Sequence, residues 1–135
     1  MLHLLLVEDS PSDVLLIREA LRRCSIPADV TIAYDGEQAL AALANFHPDL
    51  IVLDLNLPKL SGIDVLKSFK NNSNIPIAVF SGSDNPADRK QVLDLGANEY
   101  LTKPPDFDGY MRAISDILMR RWGPGEPTEA TSTQI

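Results

Sequence analysis

Acidic side chains follow two apolar segments of the chain, at the point where each segment ends. Glu8 and Asp9 come directly after the apolar run at 4–7, and Asp54 follows the run at 50–53. Carboxylates brought close together raise one another's pKa values, so they stay ionised at neutral pH only if positive charge lies among them. Oxygen ligands suit a hard divalent cation, and carboxylates that leave room for water suit Mg²⁺.

Two more polar side chains stand at equivalent positions, and they extend this chemistry to a phosphoryl group. Ser81 follows the apolar run at 77–80, and Lys103 comes near the end of a short apolar segment. An open Mg²⁺ site invites a phosphoryl group, and Asp54 can then be the nucleophile that attacks it in line. Lys103 would neutralise the developing charge, and the Ser81 hydroxyl would donate a hydrogen bond. The backbone carbonyl of Asn56 is close enough in sequence to be a further metal ligand.

These side chains can meet only if the apolar runs are neighbouring strands. Apolar runs alternate with segments of helical periodicity five times. This pattern predicts a five-stranded parallel sheet with helices on both faces. Half a barrel would leave its edges unclosed, so a doubly wound α/β sheet is favoured. In the strand order 2-1-3-4-5, strands 1, 3, 4 and 5 are neighbours, and the residues that follow them converge at the edge where such sheets bind ligands.

Local signals predict where the helices begin and end. Ser10 followed by Pro11 begins the first helix, and Asp35 opens a capping box for the second. The second strand is expected over 30–33, and Gly96 fits the end of the fourth helix. Four apolar residues are predicted to share one face of the fifth helix: Phe107, Met111, Ile114 and Leu118.

Composition limits the classes of function. The chain has 135 residues and a formal charge of −7, so binding to nucleic acid or an anionic membrane is not expected. Cys24 is the only cysteine, which excludes an internal disulfide and a cysteine-based zinc site. No segment has the roughly 20 apolar residues that cross a bilayer, so a cytoplasmic protein is expected. We predict one domain over 1–122 and a disordered tail over 123–135.

Four motifs together resemble the receiver domain of two-component response regulators. They are Leu5-Leu6-Val7-Glu8-Asp9, Leu53-Asp54-Leu55-Asn56-Leu57-Pro58, Val79-Phe80-Ser81-Gly82 and Tyr100-Leu101-Thr102-Lys103-Pro104. The resemblance covers about residues 3–121 and implies a flavodoxin-like fold. It implies that Asp54 is the phosphoacceptor of a switch rather than a residue of a conventional enzyme.

The resemblance also implies roles for the residues around Asp54. Asp9 would bind Mg²⁺ directly and Glu8 through water, together with Asp54 and the Asn56 carbonyl. Lys103 would contact the phosphoryl group.

Three features would carry the switch. Ser81 would supply the hydroxyl that moves toward the phosphoryl group. Tyr100 would be the aromatic side chain that turns inward when Ser81 moves. The Lys103–Pro104 bond would be cis, which the weak trans preference of bonds before proline allows.

The segments at 7–13 and 53–59 look most like stand-alone regulators that are paired with phytochrome-type histidine kinases. The resemblance therefore implies a histidine kinase as the phosphoryl donor and output through an unidentified protein partner or through self-association. A homodimer formed by helix four, strand five and helix five is one form that this output can take. The alternative for the apolar arc of helix five is a contribution to the core.

Three other functions remain open from the sequence. The first is a Mg²⁺-dependent phosphohydrolase that uses Asp54 transiently, but Asn56 stands where haloacid-dehalogenase-like enzymes have an aspartate, and no inserted cap is visible. The second is a flavodoxin-like cofactor binder, which would need a phosphate-binding loop where Glu8 and Asp9 stand. The third is a degenerate receiver that acts as an interaction module without phosphate, although all the named site residues are present.

Overall fold

The computed structural model describes residues 1–69 and 74–122, which form alternating strands and helices. The strands are β1 (Leu2–Val7), β2 (Ala28–Ala33), β3 (Leu50–Leu53), β4 (Ile77–Ser81) and β5 (Glu99–Thr102). The helices are α1 (Pro11–Arg23), α2 (Gly36–Asn45), α3 (Gly62–Ser68), α4 (Pro86–Asp94) and α5 (Phe107–Trp122). The predicted disordered tail over 123–135 lies outside the described residues.

All five strands are parallel, and their order is β2-β1-β3-β4-β5, as predicted. The register fixes which strand ends lie side by side. Val7 pairs with Leu53, and the Asp54 N–H donates to the Val7 carbonyl at 3.0 Å. On the other side, the Lys103 N–H donates to the Ser81 carbonyl at 2.7 Å. The polar residues that follow β1, β3, β4 and β5 therefore emerge at one edge of the sheet.

The sheet separates two apolar cores. Helices α1 and α5 cover one face, and α2, α3 and α4 cover the other. The central strands β1, β3 and β4 are buried on both faces, which explains their continuous apolar runs. The exposed faces of the helices carry the polar residues. Helix α4 is anchored least, because Val92 is its one buried residue.

The three helix ends predicted from Ser10, Asp35 and Gly96 are confirmed. The Ser10 side chain accepts a hydrogen bond from the Asp13 N–H at 3.3 Å, and Pro11 is the first residue of α1. The Asp35 carboxylate caps α2 in the same way. After α4 the chain turns at Gly96, whose φ of 109° lies in the region that favours glycine.

One local prediction is wrong. Strand β2 begins at Ala28 rather than at residue 30, because Leu2 and His3 extend its pairing with β1. Phe107 lies on the same face of α5 as Met111, as predicted from their spacing. It is 49% exposed at the first position of the helix, however, and the Arg23 guanidinium covers its ring at 5.4 Å. Within the described residues, no helix has the length and apolar character needed to span a membrane.

Candidate functional site

Three carboxylates converge at the ends of β1 and β3. One ligand oxygen from each of Glu8, Asp9 and Asp54 lies within 4.8 Å of the other two. Glu8 and Asp54 are almost completely buried, with 2% and 6% of their surface exposed, whereas Asp9 faces solvent. The pairing of β1 with β3 accounts for this convergence, because residues that follow paired strands stay adjacent. The sequence prediction that these three side chains meet is therefore confirmed.

The ammonium group of Lys103 lies among these carboxylates. Its Nζ is 2.7 Å from Glu8 Oε1 and 3.3 Å from Asp54 Oδ2. A third carboxylate oxygen, Asp13 Oδ1, is 3.5 Å away. Burial alone would lower the pKa of Lys103, but the hydrogen bond to Glu8 and the charge of Asp54 raise it above its ordinary value. Lys103 therefore stays positively charged at neutral pH.

One ammonium group does not balance the negative charge of the cluster. Burial raises the pKa of Glu8 to about 7, although the hydrogen bond and the charge of Lys103 act in the opposite direction. The charges of Asp54 and Asp13 raise it further. Crowded carboxylate oxygens with an excess of negative charge are the donor set that a hard divalent cation prefers. The residues present therefore fit Mg²⁺.

The loop after β3 brings Asn56 next to Asp54. The Asn56 N–H donates to Asp54 Oδ1 at 3.2 Å, while Asp54 Oδ2 faces Lys103. Each oxygen of the Asp54 carboxylate therefore has its own partner, which fixes the orientation of the group. The Asn56 carbonyl as a metal ligand stays a prediction.

Ser81 and Tyr100 meet the same loop from two strands. Ser81 is fully buried at the end of β4, and its Oγ accepts a hydrogen bond from the Ser83 N–H at 3.4 Å. Tyr100 on β5 is also buried, and its hydroxyl donates to the Ser83 carbonyl. The Arg89 guanidinium covers the Tyr100 ring at 5.5 Å. The loop between β4 and α4 therefore links the Ser81 hydroxyl to the aromatic side chain; the inward turn of Tyr100 with Ser81 stays a prediction.

The predicted cis bond before Pro104 is wrong. No peptide bond is cis in residues 1–69 and 74–122, so the Lys103–Pro104 bond is trans. The trans form is favoured by about 0.5–1 kcal/mol before proline. With this bond trans, the Lys103 side chain still reaches Glu8 and Asp54, and its backbone N–H still bonds to Ser81.

Asp13 and Tyr110 belong to the site but were not predicted from the sequence. Asp13 lies in the first turn of α1, and its Oδ1 accepts a hydrogen bond from the Tyr110 hydroxyl at 2.6 Å. The available signal was spacing, because Asp13 follows Asp9 by four residues and the first turn of a helix lies beside the strand end that precedes it.

The chain is similar to many proteins of one family. A family model described as "Response regulator receiver domain" matches residues 4–115. The alkaline phosphatase synthesis transcriptional regulatory protein PhoP of Bacillus subtilis is 42% identical over 102 residues, which are 75% of this chain and 42% of that protein. A probable transcriptional regulator, ycf27 of Porphyridium aerugineum, is 39% identical over 86% of this chain and 48% of its own length. The chain thus spans about half the length of the curated relatives it matches.

Solved structures include receiver proteins of nearly the same length. The Mn²⁺-bound form of response regulator Rcp1 has a TM-score of 0.80 and 34% identity, with 88% of this chain and 93% of that chain covered. The phosphorylated cyanobacterial phytochrome response regulator RcpA has a TM-score of 0.80 and 37% identity, with 87% and 91% covered. The bacteriophytochrome response regulator RtBRR has a TM-score of 0.69 and 32% identity, with 87% and 78% covered.

Proposed function

Because the chain belongs to the family of response regulator receiver domains, we propose that Asp54 accepts a phosphoryl group from a histidine kinase. The observation that carries the proposal is the meeting of three carboxylates with the Lys103 ammonium group at one edge of the sheet. Receiver domains of two-component systems are phosphoacceptor switches, and this site contains the groups that such a switch needs.

Four groups would hold Mg²⁺ in this site. Asp9, Asp54 and the Asn56 carbonyl would bind it directly, and Glu8 would bind it through water. The crowding of carboxylate oxygens supports this assignment, as does the Mn²⁺-bound form of the similar protein Rcp1. When bound, the cation supplies positive charge that stabilises the oxygens of a transferring phosphoryl group.

The chain's own side chains would orient and receive the phosphoryl group. A carboxylate oxygen of Asp54 forms the new bond to phosphorus, while the bond from phosphorus to the kinase histidine breaks and the imidazole leaves with that electron pair. The Asn56 N–H and Lys103 hold the Asp54 carboxylate in place. Lys103 then pairs with a phosphoryl oxygen, and the Ser81 hydroxyl donates a hydrogen bond to another.

The partner kinase would be of the phytochrome type, and the proposed location of the chain is the cytoplasm. The support is the similarity to RcpA and RtBRR, which are named as phytochrome and bacteriophytochrome response regulators. Output would pass to a downstream protein, or to a second copy of the chain, through the surface of α4, β5 and α5. The bonds that join Ser81, Ser83 and Tyr100 provide a physical route from the site to that surface.

The test is phosphorylation by acetyl phosphate in the presence and absence of Mg²⁺, followed by intact mass. We expect one phosphoryl adduct that requires the cation and is lost in Asp54→Asn. Asp64→Asn is the matched control, because it removes an exposed carboxylate from the first turn of α3 and should label like the unaltered chain. Absence of the adduct with both acetyl phosphate and a phosphorylated phytochrome-type kinase would contradict the proposal.

A further inference from the structure

Asp13 supplies the third carboxylate around the ammonium group of Lys103. Asp13 Oδ1 lies 3.5 Å from Lys103 Nζ, and the two side chains are 21% and 13% exposed. An ion pair with this little exposure is screened less by water and salt than a surface pair. Glu8 and Asp54 approach the same ammonium group from strand ends, whereas Asp13 approaches it from a helix.

A buried tyrosine fixes the position of the Asp13 carboxylate. The Tyr110 hydroxyl donates to Asp13 Oδ1 at 2.6 Å, and the Tyr110 ring packs edge-on against Phe80 of β4 with centroids 5.0 Å apart. Burial and the neighbouring carboxylates raise the pKa of Tyr110, so its hydroxyl remains a hydrogen-bond donor at neutral pH. The carboxylate is therefore held between the site and the buried face of α5.

Helix capping does not account for this arrangement. The N–H of Asp13 donates to Ser10, and the N–H of Asp64 donates to Ser61 in the same way, so the two acidic residues occupy equivalent positions in α1 and α3. Both interact favourably with the positive end of a helix dipole. Asp64 is exposed, however, and its carboxylate has no hydrogen-bond or ion-pair partner within 1–69 and 74–122.

We propose that Asp13 is a positioning residue, which holds the ammonium group of Lys103 beside the Asp54 oxygen, and that Tyr110 holds Asp13 in turn. The inference rests on the proposed function of Asp54. A lysine side chain has a flexible four-carbon stem, so a fixed carboxylate beside its end reduces the number of positions it can occupy. Placing a charged group before the reaction lowers the barrier, because the group need not be ordered in the transition state.

The test measures how fast the full chain is labelled at increasing acetyl phosphate concentrations, with Mg²⁺ in excess and intact mass as the readout. In Asp13→Asn we expect the maximal rate to fall about tenfold, as when an outer partner of a reacting group is removed. Tyr110→Phe should lower the rate in the same direction. The double variant should be no slower than Asp13→Asn, because both changes act through one carboxylate. The matched control Asp64→Asn should keep the rate of the unaltered chain.

A purely electrostatic role for Asp13 predicts the opposite result. Removing a negative charge near an anionic donor would lower the half-saturating concentration of acetyl phosphate and would speed labelling. Unchanged or faster labelling of Asp13→Asn, or additive effects of the two changes, would overturn the inference while leaving the role of Asp54 intact. Loss of labelling in the unaltered chain would instead overturn the proposed function. Thermal unfolding shows whether each variant folds. If Asp13→Asn does not fold, the labelling rate of Tyr110→Phe, which keeps the carboxylate and the ring, tests the inference instead.

Discussion

Burial makes the negative charge of Glu8 unfavourable in the fold. Its side chain is almost completely buried, and burial raises its pKa from 4.5 to about 7 despite the hydrogen bond of 2.7 Å from Lys103. The neighbouring Asp54 adds to the increase. Near pH 7 Glu8 is therefore partly protonated, and a bound cation would displace this proton, because cation binding favours the ionised carboxylate.

This raised pKa predicts that the metal-free chain loses stability as pH rises from about 5 to 8. Folded Glu8 binds its proton more tightly than unfolded Glu8, so its contribution is fully present below pH 4.5 and is lost as pH rises through about 7. The loss can reach about 3 kcal/mol, since one pKa unit corresponds to about 1.4 kcal/mol.

Urea unfolding with a chelator present, at several pH values, measures this dependence. Glu8→Gln should flatten the curve, whereas Glu37→Gln, which alters an exposed carboxylate of α2, should leave it unchanged. Equal slopes for Glu8→Gln and the unaltered chain would show that Glu8 does not take up the proton.

Residues at strand ends were predictable, and residues on helices were not. Glu8, Asp54 and Lys103 meet because parallel strands keep a fixed register, and the sequence shows where each apolar run ends. Asp13 and Tyr110 meet only because α1 packs beside α5, and the rotation of each helix about its axis depends on how the whole apolar face fits. No spacing between residues 13 and 110 encodes that contact.

At the scale of elements, the entry into α3 is set by a close approach of backbone to backbone. A Cβ on Gly62 would lie 2.5 Å from the Asp54 carbonyl oxygen and 2.7 Å from the Leu55 Cα. The Gly62 N–H also donates to the Leu55 carbonyl at 2.9 Å. Glycine at this position therefore lets α3 begin directly beneath the loop that carries Asp54.

We expect Gly62→Ala to destabilise the fold by about 1–3 kcal/mol, the usual cost of overpacking. Because the clash is with the backbone of Asp54 and Leu55, the change should also slow labelling of Asp54. Gly82→Ala is the control for stability, since an added Cβ there meets nothing within 4 Å. Chemical unfolding compares the stabilities of Gly62→Ala and Gly82→Ala. Equal midpoints would mean that the start of α3 shifts away from the Asp54 and Leu55 backbone without loss of stability.

The boundaries of the elements show where sequence information ends. Ser10, Asp35 and Gly96 mark helix ends through local chemistry, so those ends were predicted correctly. The start of β2 depends on hydrogen bonds to β1, which lies more than 20 residues away, and its first residues alternate between half-buried and exposed. The cis isomer of the bond before Pro104 was predicted from the family resemblance, whereas the structure has the trans isomer that local energetics favour.

At the scale of the whole molecule, exposed apolar side chains lie on both sides of the sheet. On the side of α4, Leu93 is 39% exposed. At the junction of β5 and α5, Glu99 binds Arg120 at 2.5 Å and Arg121 at 2.9 Å. Helix α1, which lies across the sheet from α4 and is not part of this surface, exposes 67% of Leu15. A homodimer through α4, β5 and α5 would therefore cover Leu93 and leave Leu15 in solvent.

For the proposed homodimer, this geometry predicts that Leu93→Asp weakens self-association and that Leu15→Asp does not. An aspartate buried in the interface would carry an uncompensated charge, which costs several kcal/mol. Size-exclusion chromatography with light scattering, before and after phosphorylation, gives the molar mass of each variant. If Leu15→Asp dissociates the dimer instead, the interface lies on α1.

The weak anchoring of α4 has a consequence for hydrogen exchange. A helix held by one buried side chain, Val92, separates from the sheet at a smaller free energy than strands buried on both faces. We therefore expect the amide hydrogens of α4 to exchange through local openings, whereas those of β3 and β4 exchange only on global unfolding. The loop of Ser83 leads directly into this helix, so an opening of α4 would reach the segment that is bonded to Tyr100. The fold thus combines a site at the carboxyl end of the sheet, where charged side chains are held in place, with one helix that separates from the sheet at a small free-energy cost.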